Sequence, residues 1–317
     1  MIMDWIYVGL GLVILLLGGD ALVKGAVNMS LRLGVPALIV SLTVVAFGTS
    51  APELLISVQA ILDGVAGLAL GNVVGSNTAN VLLVLGVPAL IATMHTSHYD
   101  TRASYAQMLG ATLLFIAICF TGSIGWIEGL VLLAALAAML VWAARRAIAH
   151  RKEGEEDPEE EEVEGADPDI PWWKILLFLG LGIIGLPLGA SLLVDGSTSI
   201  ARAFGVSEEA IGLTLVAIGT SLPELATTVM AAIRRQADVA LGNVIGSNMF
   251  NLLGIMGVAA LVGTIPVDDI FLRRDLWIML ACSLILVPFV FFRRDITRIW
   301  GVALSVLYVT YLFAVLA

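Results

Sequence analysis

Charge is what this sequence has least of. Asp, Glu, Lys and Arg make up 13% of its 317 residues, against roughly 25% in an ordinary soluble domain. That scarcity excludes a soluble globular enzyme, a nucleic-acid binder and a disordered chain. Cysteine is scarce too. Cys119 and Cys282 each sit in an apolar run, so they read as small hydrophobes and offer no disulfide framework or thiolate metal site. The three histidines, His95, His98 and His150, fall in expected loops and read as solvated surface residues. The N-terminal Met1-Ile2-Met3-Asp4 lacks the positive charge of a cleaved leader, and the apolar run from Trp5 to Leu17 continues past Gly18-Gly19. It is expected to be a first spanning helix.

What the chain does have is apolar length. Hydrophobic residues make up 59%, with a mean hydropathy of +1.00. A spanning helix takes about 20 apolar residues. Candidate segments fall at 4–27, 36–62, 66–93, 103–121, 124–145, 172–198, 208–233, 237–263, 275–292 and 297–316. A membrane β-barrel would instead alternate in polarity over ~10 residues. The expected class is an all-α integral membrane protein of ten transmembrane helices. Residues 1–145 form a first five-helix unit, 146–171 a polar linker and 172–317 a second unit.

The net charge of −10 belongs to the linker. Glu153 to Asp169 holds eleven acids and no base, leaving fifteen acids against sixteen bases elsewhere. Its Glu, Asp, Pro and Gly cannot bury apolar area, so a solvated segment is expected, and no calcium-loop spacing is present in it. With the N-terminus outside, Lys24, Arg32, Arg102, Arg145, Arg146, Arg151, Lys152, Lys174, Arg234, Arg235, Arg293, Arg294 and Arg298 fall on the cytoplasmic side. Only Arg202, Arg273 and Arg274 fall outside. The positive-inside rule then puts both termini outside and the linker in the cytoplasm.

The two halves repeat at an offset of 171. Ala46-Phe-Gly-Thr-Ser-Ala-Pro-Glu-Leu54 matches Ala217-Ile-Gly-Thr-Ser-Leu-Pro-Glu-Leu225, and Gly71-Asn-Val-Val-Gly-Ser-Asn-Thr-Ala-Asn80 matches Gly242-Asn-Val-Ile-Gly-Ser-Asn-Met-Phe-Asn251. Five spans per half is an odd number, so the second half enters the membrane from the opposite side. Such inverted repeats characterise secondary transporters that bind cargo near the midplane.

Glu53 and Glu224 are the most informative residues. An ionised group in mid-membrane costs ~2.5–3.5 kcal/mol on insertion scales, and neither glutamate has a Lys or Arg within a helical turn. Two carboxylates facing one another would also repel, and a bound cation relieves both penalties. Pro52 and Pro223 lack an N–H, and Gly48 and Gly219 weaken the same turn. Helices 2 and 7 are therefore expected to break there, exposing carbonyls at Ala46, Thr49, Ala217 and Thr220. A second reading of the same residues is structural: Ser50-x-x-Glu53 and Ser221-x-x-Glu224 fit a capping box.

Ser76 with Asn80, and Ser247 with Asn251, are spaced i, i+4 and share a helix face. They add neutral oxygens. Gly71, Gly75, Gly242 and Gly246 permit close approach of helices 3 and 8 to helices 2 and 7. Asn72 and Asn243 read as packing residues, and Thr78 and Met249, which differ between the copies, as peripheral. The ligand set is all hard oxygen, which suits Ca²⁺ and Na⁺ over Zn²⁺ or Cu⁺.

These doubled motifs resemble the α-1 and α-2 repeats of sodium/calcium exchangers, within the calcium/cation antiporter superfamily, over essentially the whole chain. The resemblance implies a ten-helix fold with helices 2, 3, 7 and 8 as its core and four central ion sites. It implies that Glu53 and Glu224 bind Ca²⁺ and share the Na⁺ sites, with carbonyls of Ala46, Thr49, Ala217 and Thr220 and hydroxyls of Ser76 and Ser247. Asn80 and Asn251 then line the centre, and Ser50 and Ser221 support it. It further implies that helices 1 and 6 form a sliding pair, and that three Na⁺ replace one Ca²⁺. The chain departs from some relatives in having Asn, not Asp, at 251, which argues against a K⁺ requirement.

The expected function is Na⁺/Ca²⁺ antiport across the cell membrane. The transported ions and the bilayer are its partners, with no cofactor, nucleic acid or obligate protein partner implied. Calcium/proton exchangers, the alternative, usually carry an acid shortly after Gly-Asn, and neither copy does. An intramembrane enzyme would need a His-Glu-x-x-His motif or a second embedded Asp beside Asp20. Asp195 falls near the opposite face, and Asp20 with Lys24 reads as a helical ion pair.

Overall fold

The computed structural model describes residues 2–153, 167, 169–205 and 217–316. The described chain is almost wholly helical, as hydrocarbon surroundings require: without water, each N–H and C=O must find its partner within the segment. The helices are α1 (Ile2–Leu33), α2 (Ala37–Thr49), α3 (Ala51–Leu62), α4 (Ala66–Ile91), α5 (Arg102–Cys119), α6 (Trp126–Glu153), α7 (Trp172–Ala203), α8 (Leu222–Ile233), α9 (Ala237–Val262), α10 (Phe271–Phe291) and α11 (Arg298–Leu316). Among the described residues, seven helices are long and apolar enough to cross a membrane. The bent pair α2–α3 makes an eighth, and α8 and much of α11 are shorter apolar helices. Large apolar side chains such as Trp5, Leu17, Ile184, Ile299 and Phe313 stand exposed around them, as expected of a surface that faces lipid.

Hydropathy marked the apolar stretch of each helix, and several helices run beyond it. α1 continues past 27 to Leu33, and α6 passes 146 and reaches Glu153. Arg and Lys in a last turn can reach water while their stems stay on the helix, so helix ends outlast the apolar signal. His150 accordingly lies within α6, not in a loop. Most of the acidic stretch, 154–166 and 168, lies outside the described residues, as do 208–216 at the start of the seventh expected segment.

The breaks have one cause. Ser50 (φ −84°, ψ 4°) and Ser221 (φ −83°, ψ 2°) leave helical geometry, with Pro52 and Pro223 in the first turn of the helices that follow. A proline is welcome there but does not extend the turn before it. α2 and α3 meet at 43°. Before Ser221 stands the short turn Ala217–Gly219.

α4 and α9 are the most buried of the spanning helices and form the centre of the molecule. α9 lies close on α2: a Cβ on Gly242 would stand 2.9 Å from the Leu38 carbonyl oxygen, and one on Gly246 would collide with the Leu42 carbonyl. α1 and α7 pair antiparallel outside this core along a small-residue seam. Gly11, Gly18 and Gly25 on one helix, and Gly182, Gly189 and Gly196 on the other, recur every seven residues. A Cβ on Gly182 would stand 2.5 Å from the Leu22 Cβ, and one on Gly189 2.8 Å from the Leu15 nitrogen. The seam therefore permits an approach that no side chain would allow.

Candidate functional site

Both glutamates lie just past a break, Glu53 on α3 and Glu224 on α8, and both are buried, at 1% and 0% exposure. No Lys, Arg or His pairs with either among the described residues. The capping-box reading fails. Neither Ser50 nor Ser221 makes a side-chain cap bond. Ser50 Oγ instead donates to Glu224 Oε1 at 3.1 Å, across to the other half of the molecule.

Of the other expected residues, Ser50, Thr49 and Ser247 lie beside Glu224. Ala46, Thr49, Ser50, Ser76, Asn80, Thr220, Ser221, Ser247 and Asn251 are all buried. Ala217 lies in the short turn before Ser221. Asn80 opens a widened helical turn, Asn80–Val84, and Asn251 lies in another, Phe250–Ile255. Such turns push backbone and side chains out of the regular ladder and recur at functional sites. Nothing in the residue pattern marked them.

Buried polar atoms almost always find partners, yet here they fail to do so together. Glu53 Oε2, Glu224 Oε2, Asn80 Oδ1, Asn251 Oδ1, Thr220 Oγ1 and Ser221 Oγ are buried without a hydrogen-bond partner among the described residues. Each such group costs ~1–3 kcal/mol, more if charged. Two carboxylates and several neutral oxygens suit a hard cation of the Ca²⁺ or Na⁺ kind. Among the described residues no group of three or more His, Cys, Asp or Glu forms a metal centre, so neutral oxygens must complete any coordination shell.

One expected ligand is already engaged. The Ala46 carbonyl accepts from the Ser50 N–H at 3.1 Å and from Thr49 Oγ1 at 3.3 Å. The break at Ser50 is narrow enough for the helical ladder to reach across it at this carbonyl.

The packing asparagines carry more of the structure than their motif revealed. Asn72 Nδ2 donates to the Glu53 carbonyl at 3.3 Å and to Ser57 Oγ at 3.1 Å. Asn243 Nδ2 makes the mirror pair with the Glu224 carbonyl at 3.4 Å and Thr228 Oγ1 at 3.2 Å. Each thus ties a glutamate's backbone to the neighbouring helix. Ser57 and Thr228 also stand 171 apart, a repeat signal outside the two motifs. Thr78 and Met249 are buried despite their divergence, and Thr78 Oγ1 bonds back to the Val74 carbonyl at 3.1 Å.

Asp20 does more than pair with Lys24 at 3.7 Å. Arg234, at the end of α8, brings both Nε, at 2.6 Å, and a terminal guanidinium nitrogen to Asp20 Oδ1. This links α1 to the core, a contact invisible to any local spacing. His95 Nδ1 lies 2.9 Å from Asp295 Oδ2, beside the bridge between Met94 and Ile296. A 650 Å³ cavity between the Ile61–Leu68 turn and Val262–Pro266 is lined by no residue of the glutamate cluster.

Known proteins share this fold. The family described as sodium/calcium exchanger protein matches residues 3–145 and 174–317. Sodium/calcium exchanger MaX1 of Methanosarcina acetivorans is 33% identical, covering 96% of this chain and 95% of its own. Inner membrane protein YrbG of Escherichia coli is 34% identical over 87% of this chain and 85% of its own. The solved structure of the sodium-calcium exchanger NCX_Mj, soaked with Na⁺ and Ca²⁺, superposes with a TM-score of 0.80 at 32% identity, covering 98% of this chain and 97% of that one.

Proposed function

The chain belongs to the sodium/calcium exchanger protein family, and from that premise we propose that it is a secondary antiporter exchanging Na⁺ for Ca²⁺ across the cell membrane. The observation that carries this reading is the pair of buried carboxylates at Glu53 and Glu224, each with an oxygen that has no hydrogen-bond partner among the described residues. An ion supplies the missing partner and neutralises the charge in one step.

The ligands proposed are Glu53 and Glu224, with Thr49, Ser76, Asn80, Thr220, Ser247 and Asn251, and backbone oxygens near both breaks. Carbonyls of Ala46 and Ala217 are among those backbone oxygens, Ser50 steadies the Glu224 carboxylate, and Ser221 supports the site from the other half. Ca²⁺ and Na⁺ compete for these oxygens, so the protein carries one load or the other. The spans number ten, arranged as two inverted five-helix repeats, with both termini outside and the acidic linker cytoplasmic. Alternating access follows from movement of α1 and α7 as a pair against the core, since their glycine seam holds them together.

Charge counting sets the electrical behaviour. Two ionised glutamates give −2, and one Ca²⁺ brings the core to neutrality. Three Na⁺ leave it at +1, so the two half-cycles carry different charge and net current flows. With Asn at both 80 and 251 there is no third carboxylate to recruit K⁺.

The test is ⁴⁵Ca²⁺ uptake into proteoliposomes preloaded with Na⁺, K⁺ or buffered protons. Uptake is expected with internal Na⁺ alone, and it should respond to a potential imposed with valinomycin once K⁺ effects are controlled. Uptake driven equally well by a proton gradient would overturn the sodium coupling. Indifference to potential would point to two Na⁺ per Ca²⁺.

A further inference from the structure

The Gly-Ser-Asn tripeptides at 75–77 and 246–248 end in asparagines outside the ligand set above. Both are buried, at 2% and 1% exposure, and their amides do different things. Asn80 Nδ2 donates to Asn248 Oδ1 at 3.1 Å. Asn248 Nδ2 in turn lies 3.7 Å from the sulfur of Met108 on α5 and donates to it. Both ends of the Asn248 amide are thus used, which fixes its orientation. Asn80 has given its N–H₂ to this chain, so its oxygen is left buried and unpaired.

A primary amide offers a cation one useful end. Its oxygen is a ligand and its N–H₂ group repels positive charge. A buried asparagine beside an ion site therefore needs something to set which end points in. We propose that Asn248, held by Met108, is the positioning residue that turns the Asn80 oxygen toward the transported ion. The inference rests on the proposed cation site and assigns to Asn248 no contact with the ion itself.

The second half contains the same parts. Shifted by 171, Asn80, Asn248 and Met108 correspond to Asn251, Asn77 and Met279, and Met279 is also buried. There the chain is not made. Asn77 Nδ2 donates to its own helix at the Val73 carbonyl, 2.7 Å away, and both amide atoms of Asn251 are unpaired. The amide at 80 is set and the amide at 251 is not. Of the two, the Asn80 oxygen is the pre-arranged neutral ligand.

The experiment compares Asn248→Leu with Asn77→Leu in the full chain. It reads the Ca²⁺ concentration for half-maximal Na⁺-driven uptake separately from the maximal rate, with the ion-free melting temperature as a check on folding. Asn248→Leu is expected to raise half-saturation about tenfold, roughly the effect of one lost charge-assisted contact. Asn77→Leu should leave it within about twofold. Unchanged half-saturation in Asn248→Leu, or equal shifts in both variants, overturns the assignment. If Asn248→Leu does not fold, the volume-conserving Met108→Leu decides: a rise of twofold or more supports the relay, and no change overturns it. Normal uptake by Glu53→Gln would instead defeat the site itself, so the two failures are distinguishable.

Discussion

The two halves of the site are built from the same residue types and are bonded differently. On one side Thr49 Oγ1 donates to Asn243 Oδ1 at 3.2 Å and lies 3.4 Å from Ser247 Oγ. Ser50 reaches Glu224, and Asn80 reaches Asn248. The mirror atoms, Thr220 Oγ1, Ser221 Oγ and the amide of Asn251, have no hydrogen-bond partner among the described residues. What the halves share is backbone: breaks at Ser50 and Ser221, prolines just after, and Asn72 and Asn243 tied to the glutamate carbonyls. Near-identical motifs thus support two bonding patterns, one closed and one open. An ion that favours one bonding pattern over the other would shift the balance between them by its difference in affinity.

The strongest way to break the comparison is to remove one charge. Glu53→Gln and Glu224→Gln should each lower Na⁺-driven Ca²⁺ uptake at least about a hundredfold, given ~3–5 kcal/mol for removing one partner of a buried charge pair and a factor of ten per 1.36 kcal/mol. Ion-free thermal stability should hold or rise, because the two carboxylates no longer repel. If either variant transports at a normal rate, the halves are not jointly required.

Next in size is Asn251→Asp, which places a third carboxylate on the unbonded side. The Ca²⁺ dependence should shift by about tenfold, one unit of binding free energy on the pKa scale, and K⁺ should begin to affect uptake. Kinetics measured with and without K⁺ would show this; a variant that behaves as the parent does in both media would mean that Asn251 does not line the site.

The α1–α7 pair gives a sharper internal contrast. Gly182→Ala pushes a methyl into Leu22 and should cost ~1–3 kcal/mol. At Gly180 a Cβ meets nothing within 4 Å, so Gly180→Ala should stay within ~0.5 kcal/mol. Melting temperatures in detergent would separate them, and equal shifts would show that the seam is not closely packed.

The smallest effect is expected from deleting 155–167, which lies outside both motif pairs. Uptake should stay within about twofold. A large loss in a well-folded deletion variant would make the acidic segment a sensor.

Much of this site was legible because its chemistry is expensive where it stands. A glutamate in mid-membrane without a cation beside it, repeated at an offset of 171, is visible in sequence since nothing in lipid repays it. The breaks were legible from Pro52 and Pro223 for the same local reason. Legibility ended where partners come from elsewhere in the chain. Ser50 and Ser221 have similar flanks, with Gly-Thr before and Pro two residues after, yet among the described residues only Ser50 reaches a glutamate, 174 residues away. Asp20 appeared paired with Lys24, although Arg234 contributes its closer contacts. The widened turns at Asn80–Val84 and Phe250–Ile255 leave no trace in hydropathy.

The central claim is that Ca²⁺ and Na⁺ compete for one set of oxygens organised by Glu53 and Glu224. Equilibrium ⁴⁵Ca²⁺ binding to the purified protein, titrated with Na⁺ at constant ionic strength, tests it most directly. The account predicts that Na⁺ displaces Ca²⁺ with a steep, more than one-to-one dependence, while choline does not, and that the double variant Glu53→Gln/Glu224→Gln binds no Ca²⁺. Ca²⁺ binding that is indifferent to Na⁺, or that survives in the double variant, would contradict it.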